Sequence, residues 1–354
     1  MTKPRQAIAS ADRFVVKIGS SSLADTNAIK RLATDVMTLR AAKKSVVLVS
    51  SGAIAHGYKK LGYKTRPKEM AKLQASAAAG QSHLMHAYET AFGAEGITVA
   101  QVLLTHADLA DRTRSNNARD ALGELLAAGA VPVLNENDSV SVEEIRFGDN
   151  DQLAALVVPL VEADVLVLLS DVGGVLDESG RVVSIVEDPR AAAALVRPSK
   201  KKNDVGTGGM ASKIEAARRA TLAGAHAIIA DAREEDVLER IASGEELGTL
   251  FLPSPRRLNA RRYWIAFTLR PRGDLVLDAG ATAAVRRENK SVLTVGVLGV
   301  RGDFRAGDAV RILAPEGDEI GRGLARFDAN DATRIAGTKT DDNVLVHRDE
   351  LVVW

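Results

Sequence analysis

Cysteine is absent from the 354-residue chain. That excludes disulfides, a thiolate nucleophile and any zinc site built on Cys ligands. It is compatible with a reducing compartment. A net charge of one sign is also missing: 47 Lys plus Arg stand against 46 Asp plus Glu, for a net +1. The chain as a whole therefore has no electrostatic reason to bind nucleic acid or a membrane surface. Long apolar runs are missing too. The run at 153–161 is broken by Glu162 and Asp164, and none reaches the roughly 18 residues of a membrane span. The opening MTKPRQAIASADRFVVKIG has no apolar stretch of the kind a signal peptide needs. The expectation is a soluble, cytoplasmic protein with no membrane partner.

What remains is ordinary globular composition, 46% hydrophobic and 26% charged, in a chain long enough for about two domains. FVVKI (14–18), SVVLVS (45–50), ITVAQVLL (97–104), AVPVLN (130–135), VLVLLSD (165–171) and AHAIIADA (225–232) read as strands. They are near-continuously apolar and rich in Val, Leu and Ile, as in a parallel sheet covered on both faces. Helical patterns alternate with them. One begins near Ile29, and a second, broken near Pro67, runs to about Phe92. Others span 115–129, with Ser115 as candidate N-cap, 150–163 despite Pro159, and 211–224. This alternation predicts a doubly wound α/β domain of about 250 residues.

The texture then changes. PSPRRLNARR (253–262) is basic and Pro-containing, and beyond Gly273 short strand-like runs are separated by Gly, Asp and Pro turns. The expected organisation is an α/β domain at 1–255, a linker at 256–272 and a small β domain at 273–354.

Chemistry-bearing residues gather at the ends of predicted strands, where ligands sit in open α/β sheets. Lys17 lies in FVVKIGSSS. It is either a surface lysine at a strand end or a buried one that needs an anionic partner. SSGAIAHG (50–57) is either a plain turn or a cradle holding a carboxylate or phosphate against a helix N-terminus. LNENDSV and FGDNDQL bring Asn135, Asn137, Asp138, Asp149, Asn150 and Asp151 near one connection. A solvated acidic loop and an ammonium-binding site are both open readings, whereas the EF-hand spacing fails. LLSDVGG places Ser170 and Asp171 at another strand end. VGTGGMASK (205–213) matches neither a Walker A nor a GxGxxG pattern. Yet Lys213 falls in the first turn of a predicted helix, where the macrodipole disfavours a cation by about 0.3–1 kcal/mol. A bound anion would reverse that penalty, and Gly206, Gly208 and Gly209 permit close approach to it. His83 and His86 have no third ligand nearby in sequence and read as structural.

In this order, VVKIGSS, SSGAIAHG, LNENDSV, FGDNDQLAALV, LLSD and GTGGMASK resemble the amino acid kinase family. The resemblance is strongest to its members that phosphorylate the side-chain carboxylate of glutamate, and it covers essentially the whole chain. It implies an α/β/α sandwich with a mainly parallel sheet, followed by a small β-barrel-like PUA domain. LDAGATAAV, SVLTVGVLGVRGDFRAGDAVRI, the stretch 333–337 and VLVHRDEL look like that domain and its tail. The resemblance also implies roles. Lys17 and Lys213 would stabilise the transferring phosphoryl group, and Asp151 would orient both. Ser51, Asn135, Asp138 and Asn150 would bind L-glutamate, with Asp149 nearby. Ser170, Asp171, Thr207, Gly208, Gly209, Met210, Ala211, Ser212 and Lys213, together with Lys17, would contact ATP, with Mg²⁺ bridging phosphate oxygens. It further implies feedback inhibition by proline, a homo-oligomer (dimer or tetramer), and delivery of product to glutamate-5-semialdehyde dehydrogenase.

One departure follows Gly174. GGVLDESGRVV is short and lacks the Tyr-Thr-x-Asp-Pro-like segment usual in the family, so adenine and ribose contacts do not carry over. Two rivals are a kinase for another small acid such as N-acetylglutamate and an RNA-binding module. From Gly273 onward there are 11 Lys plus Arg against 14 Asp plus Glu. That balance of about −3 is the wrong sign for RNA. Phe304, Phe327 and Trp354 are few for base stacking.

Overall fold

The apolar runs form strands, and their alternation decides which side chains meet. In this computed structural model, residues 3–25, 27–140, 150–194, 209–288, 290–339 and 343–354 are described. The chain divides into two units, Met1–Arg257 and Leu258–Trp354.

In the first unit the strands are β1 (Arg13–Ile18), β2 (Ser45–Val49), β3 (Val99–Leu104), β4 (Val131–Glu136), β5 (Val165–Ser170), β6 (Ile185–Val186), β7 (His226–Asp231) and β8 (Thr249–Phe251). They make one sheet in the order β3-β4-β2-β1-β5-β7-β8-β6. All neighbours are parallel except β7 and β8. β1 sits in the interior of the sheet, with Lys17 level with Val49 of β2 and Leu168 of β5. The carboxyl ends of β1, β2, β4, β5 and β7 therefore line one edge of the sheet.

Side chains of a strand alternate between faces. Phe14, Val16 and Ile18 of β1, with Val131 and Val133 of β4, join a core that includes Leu32, Val36 and Leu39 of the Ala28–Ala41 helix. The same core takes Leu84, Tyr88 and Phe92 of the Met70–Ala94 helix. By alternation Asn135 falls on that face and Lys17 on the opposite one. The Asn150–Leu160 and Met210–Ala223 helices pack against each other, and they reach β1 and β7 respectively. The two faces covered by helices make the expected α/β/α layering.

Two glycines fix one helix crossing. The Ala53–Lys60 helix passes so close to Met70–Ala94 that a Cβ on Gly57 would lie 1.7 Å from the Ser76 carbonyl oxygen. One on Gly80 would lie 1.8 Å from that of Ala53. Backbone here touches backbone, so no flexible side chain can yield.

Some local readings needed adjustment. The helix expected to start at Ser115 spans Arg112–Ala127, and Asp111 caps it by accepting from the Arg114 N–H. Asp111 lay outside the apolar pattern that set the predicted start. The short strands β6 and β8 carry too few residues to show periodicity.

In the second unit, β9 (Gly273–Leu277), β10 (Val292–Leu293), β11 (Val297–Gly302), β12 (Ala309–Leu313), β13 (Glu319–Leu324), β14 (Val344–Val346) and β15 (Leu351–Val353) form two sheets. Their orders are β11-β9-β12-β13-β15 and β10-β14. Leu275, Leu277, Val310, Ile312, Ile320, Val346 and Leu351 fill the core. Helices Ala279–Glu288 and Ala329–Ile335 also occur. Asp278, in a run that reads as strand-like, and Asp328, just after another, accept from the N–H groups of Ala281 and Asp331 at their starts.

Two stability outcomes follow. Gly57→Ala places a methyl inside the Ser76 carbonyl contact, so the urea midpoint should fall by the equivalent of about 2–3 kcal/mol; an unchanged midpoint would show that the two helices do not touch there. Asp35 accepts from the Leu238 N–H at 2.9 Å. Burial pushes its pKa up from 3.8 to about 6, with Asp236 and Glu239 adding to the rise. A raised carboxylate pKa means that the fold loses stability as pH rises from about 4 through 6. Asp35→Asn keeps an acceptor without the charge. It should be more stable than wild type at pH 7, with the gap closing by pH 4. A gap that does not depend on pH would overturn this account.

Candidate active site

Three charged side chains meet on the sheet face opposite the core formed by Phe14, Val16 and Ile18. Lys17 projects from β1, and its Nζ lies 2.5 Å from Asp151 Oδ1. Lys213 Nζ lies 3.1 Å from Asp151 Oδ2. Lys17 is 6% exposed, Lys213 7% and Asp151 0%. Two ammonium groups so near one another repel, and burial strengthens that repulsion. One carboxylate with an oxygen for each offsets it. Asp151 occupies the first turn of the Asn150–Leu160 helix, where the macrodipole favours an anion. Lys213 is in the first turn of Met210–Ala223 as the sequence predicted, and there the dipole opposes it. Its pairing with Asp151 partly compensates. Gln152 adds a second tie between these helices, its Nε2 donating to the Ser212 carbonyl at 3.2 Å.

The glycine turn after β1 lies over Lys17. A Cβ on Gly19 would stand 3.9 Å from Lys17 Nζ. That is an ordinary contact distance, so the turn packs directly on the ammonium group.

A chain of neutral polar groups crosses the strand ends beside this trio. Asn150 Nδ2 lies 2.8 Å from Asn135 Oδ1, 3.0 Å from Ser51 Oγ and 2.5 Å from the Ser50 carbonyl oxygen. Asn135 in turn donates from Nδ2 to Gln81 Oε1 at 2.8 Å. Ser50 Oγ lies 3.0 Å from Tyr88 Oη, and burial pushes the Tyr88 pKa up. The structure thus brings Lys17, Asp151 and Lys213 together, and Ser51, Asn135 and Asn150 together, with adjacent residues Asn150 and Asp151 linking the two sets. Asp138 is half-buried beyond the end of β4.

Ser170 ends β5 buried, and its Oγ donates to Asp171 Oδ1 at 3.2 Å; Asp171 itself is exposed. Gly209, Met210, Ala211 and Ser212 lead into Lys213 at the start of its helix. Asp149, Thr207 and Gly208 lie outside the described residues. The shortened segment after Gly174 turns back on itself through a bridge between Leu176 and Val182. Thr249 Oγ1 accepts from the Val175 N–H at 2.9 Å and so pins it to β8.

Sequence reasoning did not single out Gln81, Tyr88 or Gln152. Gln81 had a readable signal. It falls on the stripe 73, 77, 80, 81, 84, 88 of its helix, where every residue is buried and an amide is out of place. A cavity of about 510 Å³ opens beside the two glycine turns, lined by Ser20, Gly52, Ala55, His56, Lys59, Lys60 and His83. No acidic side chain lines it. Burial, then the neighbouring His83 and Lys59, holds the His56 pKa below its usual value. Among the described residues no cluster of His, Cys, Asp and Glu has the makings of a metal site, and no helix is long and apolar enough to cross a membrane.

A buried lysine pair held by one carboxylate at the carboxyl edge of a parallel sheet is a cradle for a multiply charged anion. Residues 12–231 match the amino acid kinase family and residues 273–346 match the PUA domain. The chain belongs to the amino acid kinase family. It is 45% identical to the glutamate 5-kinase of Thioalkalivibrio sulfidiphilus (strain HL-EbGR7), with 100% of each chain covered. It is 46% identical to the glutamate 5-kinase of Pseudomonas putida (strain GB-1), covering 99% of this chain and 100% of that one. Among solved structures, N-acetylglutamate synthase from Neisseria gonorrhoeae, complexed with coenzyme A and N-acetyl-glutamate, aligns with a TM-score of 0.53 at 16% identity. That alignment covers 71% of this chain and 62% of the other, and it is a likeness of fold alone.

Asp151→Leu removes the counter-charge that both ammonium groups share. It should lower unfolding free energy by about 3–5 kcal/mol in denaturant titrations. An unchanged midpoint would show that the pairing does not hold in solution.

Proposed function

We propose that the chain transfers the γ-phosphoryl group of MgATP to the γ-carboxylate of L-glutamate, giving L-glutamyl 5-phosphate, the opening step of proline synthesis. The observation that carries this reading is the buried Lys17–Asp151–Lys213 trio, in a chain that matches glutamate 5-kinases from end to end.

The acceptor needs no general base. A γ-carboxylate has a pKa of about 4.3 and is already an anion at neutral pH. The difficulty is bringing an anion to an anionic phosphoryl group. Lys17 and Lys213 answer it by placing positive charge where negative charge accumulates, without reorganising during the reaction. Asp151 holds both lysines in position and prevents their mutual repulsion from splaying them apart. Mg²⁺ arrives with the nucleotide and neutralises its phosphate oxygens.

Ser51, Asn135 and Asn150 offer donors and acceptors for glutamate. Asp138, with Asp149, supplies negative charge for its ammonium group, which favours a free amino acid over an N-acetylated one. Ser170, Asp171 and the stretch from Thr207 to Lys213 contact ATP. The basic cavity beside Gly52 gives an anionic substrate a favourable approach.

We assign catalysis to residues 1–255, connection to 256–272, and a structural or regulatory role to the PUA region at 273–354, whose charge balance disfavours RNA. Family resemblance supports cytoplasmic localisation, homo-oligomerisation and inhibition by proline. The product is a labile mixed anhydride, which is the chemical reason for direct hand-over to glutamate-5-semialdehyde dehydrogenase.

The 354-residue chain incubated with ATP, Mg²⁺, glutamate and hydroxylamine should yield glutamyl hydroxamate. Lys213→Ala should lower kcat by on the order of 10²-fold or more. Turnover of N-acetylglutamate in place of glutamate would transfer the assignment to that acid. Equal turnover by Lys213→Ala would remove the lysine pair from the chemistry.

A further inference from the structure

Gln81 is 9% exposed on a face of the Met70–Ala94 helix that is otherwise small or apolar apart from Ser76 and Tyr88. Ser76 donates back to the Lys72 carbonyl of its own helix, and Tyr88 pairs with Ser50. Gln81 differs from both. Its Oε1 accepts from Asn135, while its Nε2 is buried with no hydrogen-bond acceptor among the described residues. A buried donor without a partner is destabilising, and an apolar side chain of similar shape would avoid that penalty. Core packing alone does not account for an amide here.

The direction of the chain does account for it. Asn135 Oδ1 accepts twice, from the Glu136 N–H at 3.0 Å and from Asn150 Nδ2 at 2.8 Å. Its Nδ2 must therefore point away from Asn150, into the core. The acceptor waiting there is Gln81 Oε1. Without that acceptor, turning the Asn135 amide over would still sacrifice the bonds from the Glu136 N–H and Asn150 but no longer one to Gln81, so the amide would be held less firmly. The turned amide would present a donor to Asn150, which also presents a donor. The Asn150 side chain would then lose one of the three oxygens that hold it at Ser50 and Ser51.

Gly80 makes this arrangement rigid. Its contact with the Ala53 carbonyl fixes the adjacent residue on the helix at backbone level. Gln81 thus reaches Asn135 from a helix that cannot shift to follow a smaller side chain.

We propose that Gln81 is a positioning residue for glutamate, reinforcing the orientation of the Asn135 amide and, through it, the placement of Asn150. The inference rests on the assignment of Asn135 and Asn150 to glutamate binding.

Steady-state kinetics of the full chain, read as glutamyl hydroxamate, test it with Gln81→Met, Asn135→Ala and the double variant. Loss of one neutral hydrogen bond corresponds to about a fivefold effect. Gln81→Met should raise glutamate KM by about five- to tenfold, with kcat and ATP KM within about twofold of wild type. Because Gln81 acts through Asn135, the double variant should match Asn135→Ala alone. Three results overturn the proposal: an unchanged glutamate KM in Gln81→Met while Asn135→Ala raises it; a Gln81→Met effect that persists in the Asn135→Ala background; or a parallel fall in kcat, ATP affinity and thermal midpoint. If Asn135→Ala itself leaves glutamate KM unchanged, the substrate-site assignment fails first, and the proposal with it. Should Gln81→Met fail to fold, Gln81→Glu keeps an acceptor facing Asn135 and decides the question. A glutamate KM within about threefold of wild type supports the chain. A rise equal to that of Asn135→Ala overturns it.

Discussion

The active site depends on one carboxylate serving two ammonium groups. Neither lysine would remain where it is without Asp151. Lys17 sits in an interior strand among Val and Leu neighbours, and Lys213 sits where the dipole of its own helix repels it. Asp151 is fully buried and would be as costly alone. The three are tolerable only together. Even so, the trio carries a net positive charge in a place that excludes water. A site left with surplus positive charge at the ends of β1 and β5 is poised for an anion, and that imbalance separates it from a purely structural ion pair.

The fold makes this meeting possible through alternation and connectivity. Side chains of β1 point to opposite faces in turn, so Lys17 is delivered to the face that carries Asn150–Leu160 and Met210–Ala223. Asn135 of β4 is delivered to the other face, where Met70–Ala94 lies. Asn150 and Asp151 are neighbours in sequence at the start of one helix. Asn150 reaches over the strand ends to Asn135, while Asp151 reaches the lysines. A single helix N-terminus therefore links the polar chain to the charged trio. In the proposed mechanism this is the link between holding glutamate and neutralising the phosphoryl group. A displacement of that helix would disturb both functions at once.

Much of this was legible in the sequence because it rests on local chemistry. FVVKI reads as a buried strand from its β-branched run, and a lysine inside it requires an explanation. Lys213 was legible because a cation in a first helical turn opposes the dipole. The pairing of both with Asp151 was not derivable from spacing, since Lys17 and Asp151 lie 134 positions apart; it came from family resemblance. The start of the Arg112–Ala127 helix was misplaced because its cap, Asp111, precedes the apolar pattern by several residues. The Ala279–Glu288 and Ala329–Ile335 helices of the second unit were hidden for a related reason. Their capping aspartates, Asp278 and Asp328, look like turn residues when helical periodicity behind them spans only two or three turns.

Gln81 shows a different kind of illegibility. Its helix is recognisable, and its place on the buried stripe can be counted. What the count lacks is the partner. A buried amide becomes meaningful only when its acceptor is seen to meet Asn135, a residue from a strand that forms 50 positions later. Polar groups inside a core are satisfied by distant chain, so their roles are written in topology rather than in neighbouring sequence. The charged trio follows the same rule, but its two lysines violate local preferences strongly enough to be noticed. Gln81 violates them by one amide on one helix face. The second layer of a site is harder to read than the first because its residues deviate less from an ordinary core while still determining how the first layer is oriented.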